Sequence, residues 1–212
     1  MTPIITLTTD FGLLDPYVAA VKGAILRINP EATIVDLSDG VEPQAIEQAT
    51  FIVSCALPYF PRGSIHVIVV DAEVDTERRA LALSTREGIF IGPDNGVLSA
   101  ALSDAERERA HAGRRLVPLH AGRQAFALTN HRYQLSPLSA TFHALDIFAP
   151  AAAHLSVGTK PSDFGPRVHG IVALPPFRGV LASDGSLIGR IIHIDRFGNA
   201  ISTISHRTVL LA

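Results

Sequence analysis

The stretch Ser64-Ile65-His66-Val67-Ile68-Val69-Val70, ending at Asp71, decides the reading of the fold. It is a near-continuous β-branched run. A strand with one wet face alternates apolar and polar residues. A run without that alternation is buried on both faces, as the central strand of a parallel sheet is. Upstream, residues 3–8 form a second apolar run rich in Ile and Thr, ending at Thr9-Asp10-Phe11-Gly12. Residues 15–28 follow with Val18, Val21, Ala24, Ile25 and Ile28 on one helical face, stopped by Asn29-Pro30. Residues 33–37 predict another strand. Residues 44–55 predict a helix, ended by Pro58 and Pro61.

Downstream, residues 80–84 and 88–91 predict a pair of strands, and residues 97–102 predict a helix. The charged stretch 104–115 is a solvated helix or loop. Residues 141–148 lead into an alanine-rich helix at 149–155. This alternation predicts an α/β fold: a Rossmann-like, mostly parallel sheet with helices on both faces. Past Gly158 the texture changes. Gly165-Pro166, Pro175-Pro176 and Asp184-Gly185-Ser186 are turn signals. Two strand-like runs, 187–194 and 200–204, flank Asp195-Arg196-Phe197-Gly198-Asn199 and predict a small β module. The expected division is an α/β domain at 1–160, a linker at 161–186 and a short β domain at 187–212.

Composition excludes several classes. The 212 residues are 47% hydrophobic, far too apolar for a disordered chain. Eighteen Lys and Arg against twenty Asp and Glu leave a net charge of −2, which does not favour a nucleic-acid partner. Mean hydropathy is +0.28. Yet no apolar run reaches the ~18 residues a spanning helix needs, so no membrane partner is expected. A lone cysteine, Cys55, excludes a disulfide framework and fits a reducing, cytoplasmic setting. The nine histidines show no metal-ligand spacing, so no metal is expected. Walker A, G-x-G-x-x-G after the first strand, and G-x-S-x-G are all absent.

Three polar clusters fall where an α/β sheet binds its ligands, at the carboxyl ends of strands. Asp10 either accepts hydrogen bonds from a ribose diol or caps backbone N–H groups. Asp71 closes the most buried strand, with Arg78 and Arg79 close enough for one to fold back on it. Such a pair keeps a carboxylate ionised and positioned, or it is a structural salt bridge. The third cluster is Thr141-Phe142-His143-Ala144-Leu145-Asp146, where His143 is a catalyst or a packed residue. Gly92-Pro93-Asp94-Asn95-Gly96 reads as a structural turn. The loop 195–199 carries an acid, an aromatic ring and an amide, a set that can hold a heteroaromatic ring.

Together these segments resemble one family. Thr9-Asp10-Phe11-Gly12 with Tyr17-Val18 and Lys22-Gly23 resembles its first signature, and Val69-Val70-Asp71 with Thr76-Glu77-Arg78-Arg79 its second. Gly92-Pro93-Asp94-Asn95-Gly96, the run from Ser139 to Ala152, and Ile194-Asp195-Arg196-Phe197-Gly198-Asn199 follow in order. The family is the S-adenosyl-L-methionine (SAM) hydroxide adenosyltransferases, relatives of the fluorinases and chlorinases. The resemblance implies hydrolysis of SAM to adenosine and methionine without metal or redox cofactor. It also implies a homotrimer, with SAM between the large domain of one subunit and the small domain of the next. It places the catalytic set on Asp71, Arg78 and His143. Asp10 falls on the ribose contact, Phe142 on a wall at the reacting carbon, and Asp195 on the contact to the methionine ammonium. Phe197 falls on a stacking contact and Asn199 on the adenine contact.

The chain also departs from the family pattern. Ala72-Glu73-Val74-Asp75 replaces the usual Pro-Gly-Val-Gly, and Ala144-Leu145 replaces Gly-Arg. Ser38-Asp39 stands where Ser-His is common, and the small domain ends early. Two alternatives stay open: a SAM- or adenosine-binding relative without catalysis, and a halide-using adenosyl transferase.

Overall fold

The computed structural model describes residues 3–71, 78–110, 114–120 and 122–211. The replacements at Glu73 and Asp75 lie outside the described residues. The first half alternates as expected. Strand β1 (Ile5–Thr9) leads to helix α1 (Tyr17–Ile28), β2 (Ile34–Ser38), α2 (Ile46–Ala56) and β3 (Ser64–Val69). A hairpin of β4 (Ala80–Ser84) and β5 (Gly88–Pro93) follows, then the one-turn α3 (Asp104–Arg107), β6 (Arg115–Pro118) and β7 (Gln124–Ala127). Helix α4 (Ala149–Ser156) precedes β8 (Arg167–Val168) and β9 (Gly170–Ala173).

The main sheet has the order β2-β1-β3-β5-β4-β7-β8. The strands β2, β1, β3 and β5 run parallel, and β4, β7 and β8 extend the sheet by antiparallel pairing. Five of the seven strands (β1, β2, β3, β5 and β7) therefore point the same way, which is the mostly parallel sheet expected. All six residues of β3 are buried, as its near-continuous β-branched run requires. Its alternate side chains serve two cores. Ile65, Val67 and Val69 pack with α1 and α4, while Ile68 joins α2 and Phe90 on the other face. Helices on both faces follow from this.

The chain leaves β1 for β2 through α1, then returns across to β3 through α2. The order β2-β1-β3 makes the gap between β1 and β3 a switch point, where strand ends splay and a crevice forms. Asp10 directly follows β1, and Asp71 lies two residues past β3. The two acids expected to act thus stand on either side of that crevice.

Some expected elements differ. The helix expected at 97–102 is a 3-10 turn, Val97–Ala101. The tract at 141–148 is partly a π turn, Ala144–Phe148, which runs directly into α4. The single strand expected over 187–194 is two strands, β11 (Leu187–Ile188) and β12 (Ile191–Ile194). They pair with different partners: β11 with β10 (Val180–Leu181), and β12 with β13 (Ala200–Ser202). The break falls at Gly189-Arg190. A Cβ at Gly189 would stand 2.4 Å from Ile204 Cγ1. Arg190 leaves the strand line to pair with Glu47 on α2. This module ends in helix α5 (His206–Leu211). It leans on α2 through that ion pair, a Gln48 Nε2–His193 Nδ1 hydrogen bond of 2.9 Å, and a Phe51–His193 ring contact at 5.8 Å. No helix among the described residues is long and apolar enough to cross a membrane.

Glycine is required where β5 meets β3. A Cβ at Gly92 would lie 2.4 Å from the Ile68 carbonyl oxygen, an atom that cannot move without breaking the ladder. Gly92→Ala is expected to destabilise the fold by roughly 1–3 kcal/mol, read as a fall in the midpoint of thermal unfolding.

Candidate active site

Three of the expected residues meet at one point. The Arg78 guanidinium forms an ion pair with the Asp71 carboxylate, and the two side chains are only 4% and 5% exposed. Arg78 Nη2 also lies 3.2 Å from His143 Nδ1. A guanidinium nitrogen can only donate, so His143 Nδ1 must accept. The ring proton of that neutral histidine therefore sits on Nε2. The Arg78 guanidinium also lies 5.8 Å from the centre of the Phe148 ring.

Asp10 stands nearby. Its carboxylate accepts a 2.8 Å hydrogen bond from the Gln44 backbone N–H. Gln44 adopts a positive φ of 64°, unusual for a residue with a side chain. Burial pushes the Asp10 carboxyl above its ordinary value, and the Asp71 charge pushes in the same direction, against the Gln44 N–H. The loop after β1 is itself held from β2. Thr9 donates to Asp39 Oδ1 at 2.7 Å, and Gly12 N donates to the Asp39 carbonyl at 2.8 Å. Asp39 thus works as a loop anchor.

Asp10, Asp71, Phe142 and His143 share one cleft of about 100 Å³, with Phe11 and Phe148 among its walls. Phe11, Tyr17 and Phe142 meet edge to face, with ring centres 5.4 to 6.0 Å apart. Phe142 and His143 lead directly into the π turn. The buried Asp146 fixes the approach to that turn by accepting the Ser139 N–H at 2.7 Å. Backbone N–H therefore serves Asp146 here.

Two contacts that sequence reasoning missed set the aim of the pair. Asn95 Nδ2 donates to the Val70 carbonyl at 2.9 Å and reaches Asp71 Oδ1 at 3.5 Å. Arg79 donates through Nε to Asp94 Oδ2 at 2.8 Å and through Nη2 to the Gly170 carbonyl at 2.9 Å. Asp94 in turn accepts the Val172 N–H at 2.7 Å. The turn read as structural thus anchors Arg79, while the adjacent Arg78 goes to Asp71. The signal was its two polar side chains, Asp94 and Asn95, in an otherwise tight turn.

The loop between β12 and β13 is elsewhere. Asp195 is partly buried, Phe197 and Asn199 are exposed, Phe197 to 90%, and none of them lines the cleft at Asp71. Asp195 caps its own turn: it accepts from Phe197 N at 2.9 Å, Asn199 N at 2.8 Å and Asn199 Nδ2 at 2.7 Å. These bonds, the Asn199 side chain first, hold its carboxyl below the ordinary value. Among the described residues no group of three or more His, Cys, Asp or Glu could hold a metal ion.

The raised Asp10 carboxyl has a consequence for stability. A carboxyl whose folded value is raised favours the fold when protonated and loses that contribution as pH climbs through the folded value. Ionised Asp10 therefore weakens the fold at neutral pH. Asp10→Asn keeps an oxygen for the Gln44 N–H and removes the charge. We expect a higher melting midpoint than the parent at pH 7, with the gap closing below about pH 4. A gap that is absent or reversed at pH 7 contradicts this reading of Asp10.

Residues 5–165 match the model of the SAM hydroxide adenosyltransferase N-terminal domain. An (R)-S-adenosyl-L-methionine hydrolase from Thermus thermophilus is 41% identical over 207 residues, covering 96% of this chain and 75% of that protein. A fluorinase from an Actinoplanes species is more distant, at 28% over 236 residues, covering 98% of this chain and 73% of that protein. The crystal structure of an uncharacterized conserved protein from Thermotoga maritima superposes with a TM-score of 0.82 at 32% identity, covering 98% of this chain and 74% of that one. With the match extending over most of the parallel sheet and the whole Asp71 cleft, the chain belongs to the SAM hydroxide adenosyltransferase family.

Proposed function

We propose that this protein hydrolyses SAM, in the (R) form named for its Thermus relative, to adenosine and L-methionine. The observation that carries the proposal is the buried Asp71–Arg78–His143 set, facing Asp10 across the switch point. The oxygen of water or hydroxide bonds to C5′, and the C5′–S bond breaks with its electron pair going to sulfur. Methionine leaves as a neutral thioether. The sulfonium is already a good leaving group, so the reaction asks for no general acid, metal or redox cofactor. Its difficulty is the nucleophile. A dry, narrow cleft that holds one water in line with C5′ removes most of that difficulty.

The residues divide the work. Asp71, held in place by Arg78, accepts the proton of the attacking water. His143, with Nδ1 engaged by Arg78, orients the water through Nε2–H. Asp10 takes the ribose hydroxyls. Asp10 and Asp71 together give the cleft a negative wall that suits a cationic sulfonium. Phe11, Phe142 and Phe148 exclude further water. The match to hydrolases at up to 41% identity, against 28% for the fluorinase, supports water over halide as nucleophile.

A cleft of about 100 Å³ holds the reacting centre and not the whole of SAM. Sites for molecules of that size are roughly 300–1,000 Å³. The proposal therefore includes a homotrimer in which the exposed Asp195–Asn199 loop of one subunit closes over the Asp71 cleft of the next. Asp195 then meets the methionine ammonium, Asn199 the adenine edge and Phe197 an adenine or ribose face. The lone Cys55 supports a cytoplasmic setting.

The test is turnover of (R)-SAM to adenosine, read by chromatography alongside solution mass. Asp71→Asn should lower kcat about a hundredfold or more. Arg78→Lys keeps the charge and cannot reach Asp71 and His143 with one planar fork, so kcat should fall roughly ten- to a hundredfold. Folded trimer that binds (R)-SAM but releases no adenosine would favour the reading as a binding protein.

A further inference from the structure

A second, larger cavity of about 550 Å³ lies at the opposite end of the sheet, at the amino ends of β3 and β5. That volume is within the range of small-molecule sites, roughly 300–1,000 Å³. Its walls combine the apolar Leu57, Phe60 and Phe90 with the polar Thr85, Glu87 and Arg123. The buried His66, only 2% exposed, also lines it. The imidazole packs on Phe90 with ring centres 4.9 Å apart and meets Phe60 edge-on at 6.1 Å.

His66 Nδ1 is hydrogen-bonded to Thr6 Oγ1 at 2.8 Å. Nε2 has no hydrogen-bond partner among the described residues and is not sealed inside the protein. An imidazole nitrogen that opens into a cavity is placed to hydrogen-bond a molecule inside it. Burial lowers the His66 pKa to about 4, so the ring offers one neutral hydrogen-bonding atom at pH 7. Charge at the mouth is one-sided. Arg123 is paired with Glu106 at 3.0 Å, and Glu87 with Arg62 at 3.1 Å. The exposed Arg86 makes no ion pair among the described residues and is the cation left over.

We infer that this cavity is a second ligand site, built for a planar aromatic or heteroaromatic carboxylate. The ring lies against Phe60 and Phe90 within reach of His66 Nε2, and the carboxylate meets the planar fork of Arg86. With Glu87 and Glu106 each already paired, the single unpaired guanidinium of Arg86 suits a monoanion better than a phosphate dianion. None of these residues lines the cleft at Asp71, so the site stands or falls independently of SAM hydrolysis.

The experiment is calorimetric titration of the full chain with 2-naphthoate, and with neutral 2-naphthalenemethanol beside it. We expect saturable binding of one naphthoate per chain, weaker binding of the alcohol, and unchanged naphthoate affinity in Asp71→Asn. Arg86→Ala should weaken naphthoate about tenfold, the loss of one charged hydrogen-bonding partner. Arg86 is exposed, so this variant keeps the fold. Ala101→Phe, which fills the cavity, should abolish binding. The inference is overturned if naphthoate gives no saturable binding, if Arg86→Ala leaves its affinity unchanged, or if SAM displaces it.

Discussion

The site depends on one buried ion pair. Asp71 and Arg78 form an ion pair almost wholly removed from water. Removing such charges from solvent costs several kcal/mol per ion, and mutual attraction repays this only when geometry is good and further hydrogen bonds are present. The chain meets both conditions. Asn95 braces the end of β3 at the Val70 carbonyl and Asp71, and His143 accepts from Arg78. Arg79, the next residue, is tied to Asp94, which is itself bonded to Val172 N on β9. Consecutive side chains diverge, so anchoring Arg79 on one side leaves Arg78 to the other. Strand order, turn chemistry and the π turn all converge on the orientation of one guanidinium.

That arrangement fixes the reacting centre by several hydrogen bonds and an ion pair, while the rest of a bound SAM must be held by other groups. The cleft sits on strand ends and a helical turn, elements that position side chains better than loops do. The Asp195–Asn199 turn is equally well ordered by its own hydrogen bonds, but it presents Phe197 to solvent. A large aromatic ring at 90% exposure on a preformed turn is a costly surface for an isolated chain and a useful one against a neighbour. The proposed trimer gives both surfaces a role: one subunit supplies the chemistry, the next supplies the grip.

Much of this was legible in the sequence. The β-branched run at Ser64–Val69 identified the central strand because burial on both faces leaves no alternation. Asp71 and Arg78 were legible as one cluster and His143 as another, and the resemblance joined them. Other features were hidden for physical reasons. The strand Gln124–Ala127 holds two alanines and a glutamine beside the lone β-former Phe126, and becomes a strand through pairing with β4. The four-residue Arg115–Pro118 is mostly exposed and exists only as a partner to β9. The break in 187–194 depends on Gly189 packing against Ile204 and on Arg190 reaching Glu47, contacts that no local pattern encodes. The Asp94–Arg79 anchor joins residues 15 apart through a turn whose composition suggested only geometry.

The central claim is that Asp71, held by Arg78, delivers water to C5′ of SAM. The most direct measurement is a reaction in ¹⁸O-water with mass analysis of the adenosine formed. The account predicts one ¹⁸O atom in each adenosine, on the 5′ carbon, with methionine unlabelled. Adenosine released without the label, or label found in methionine, would contradict it.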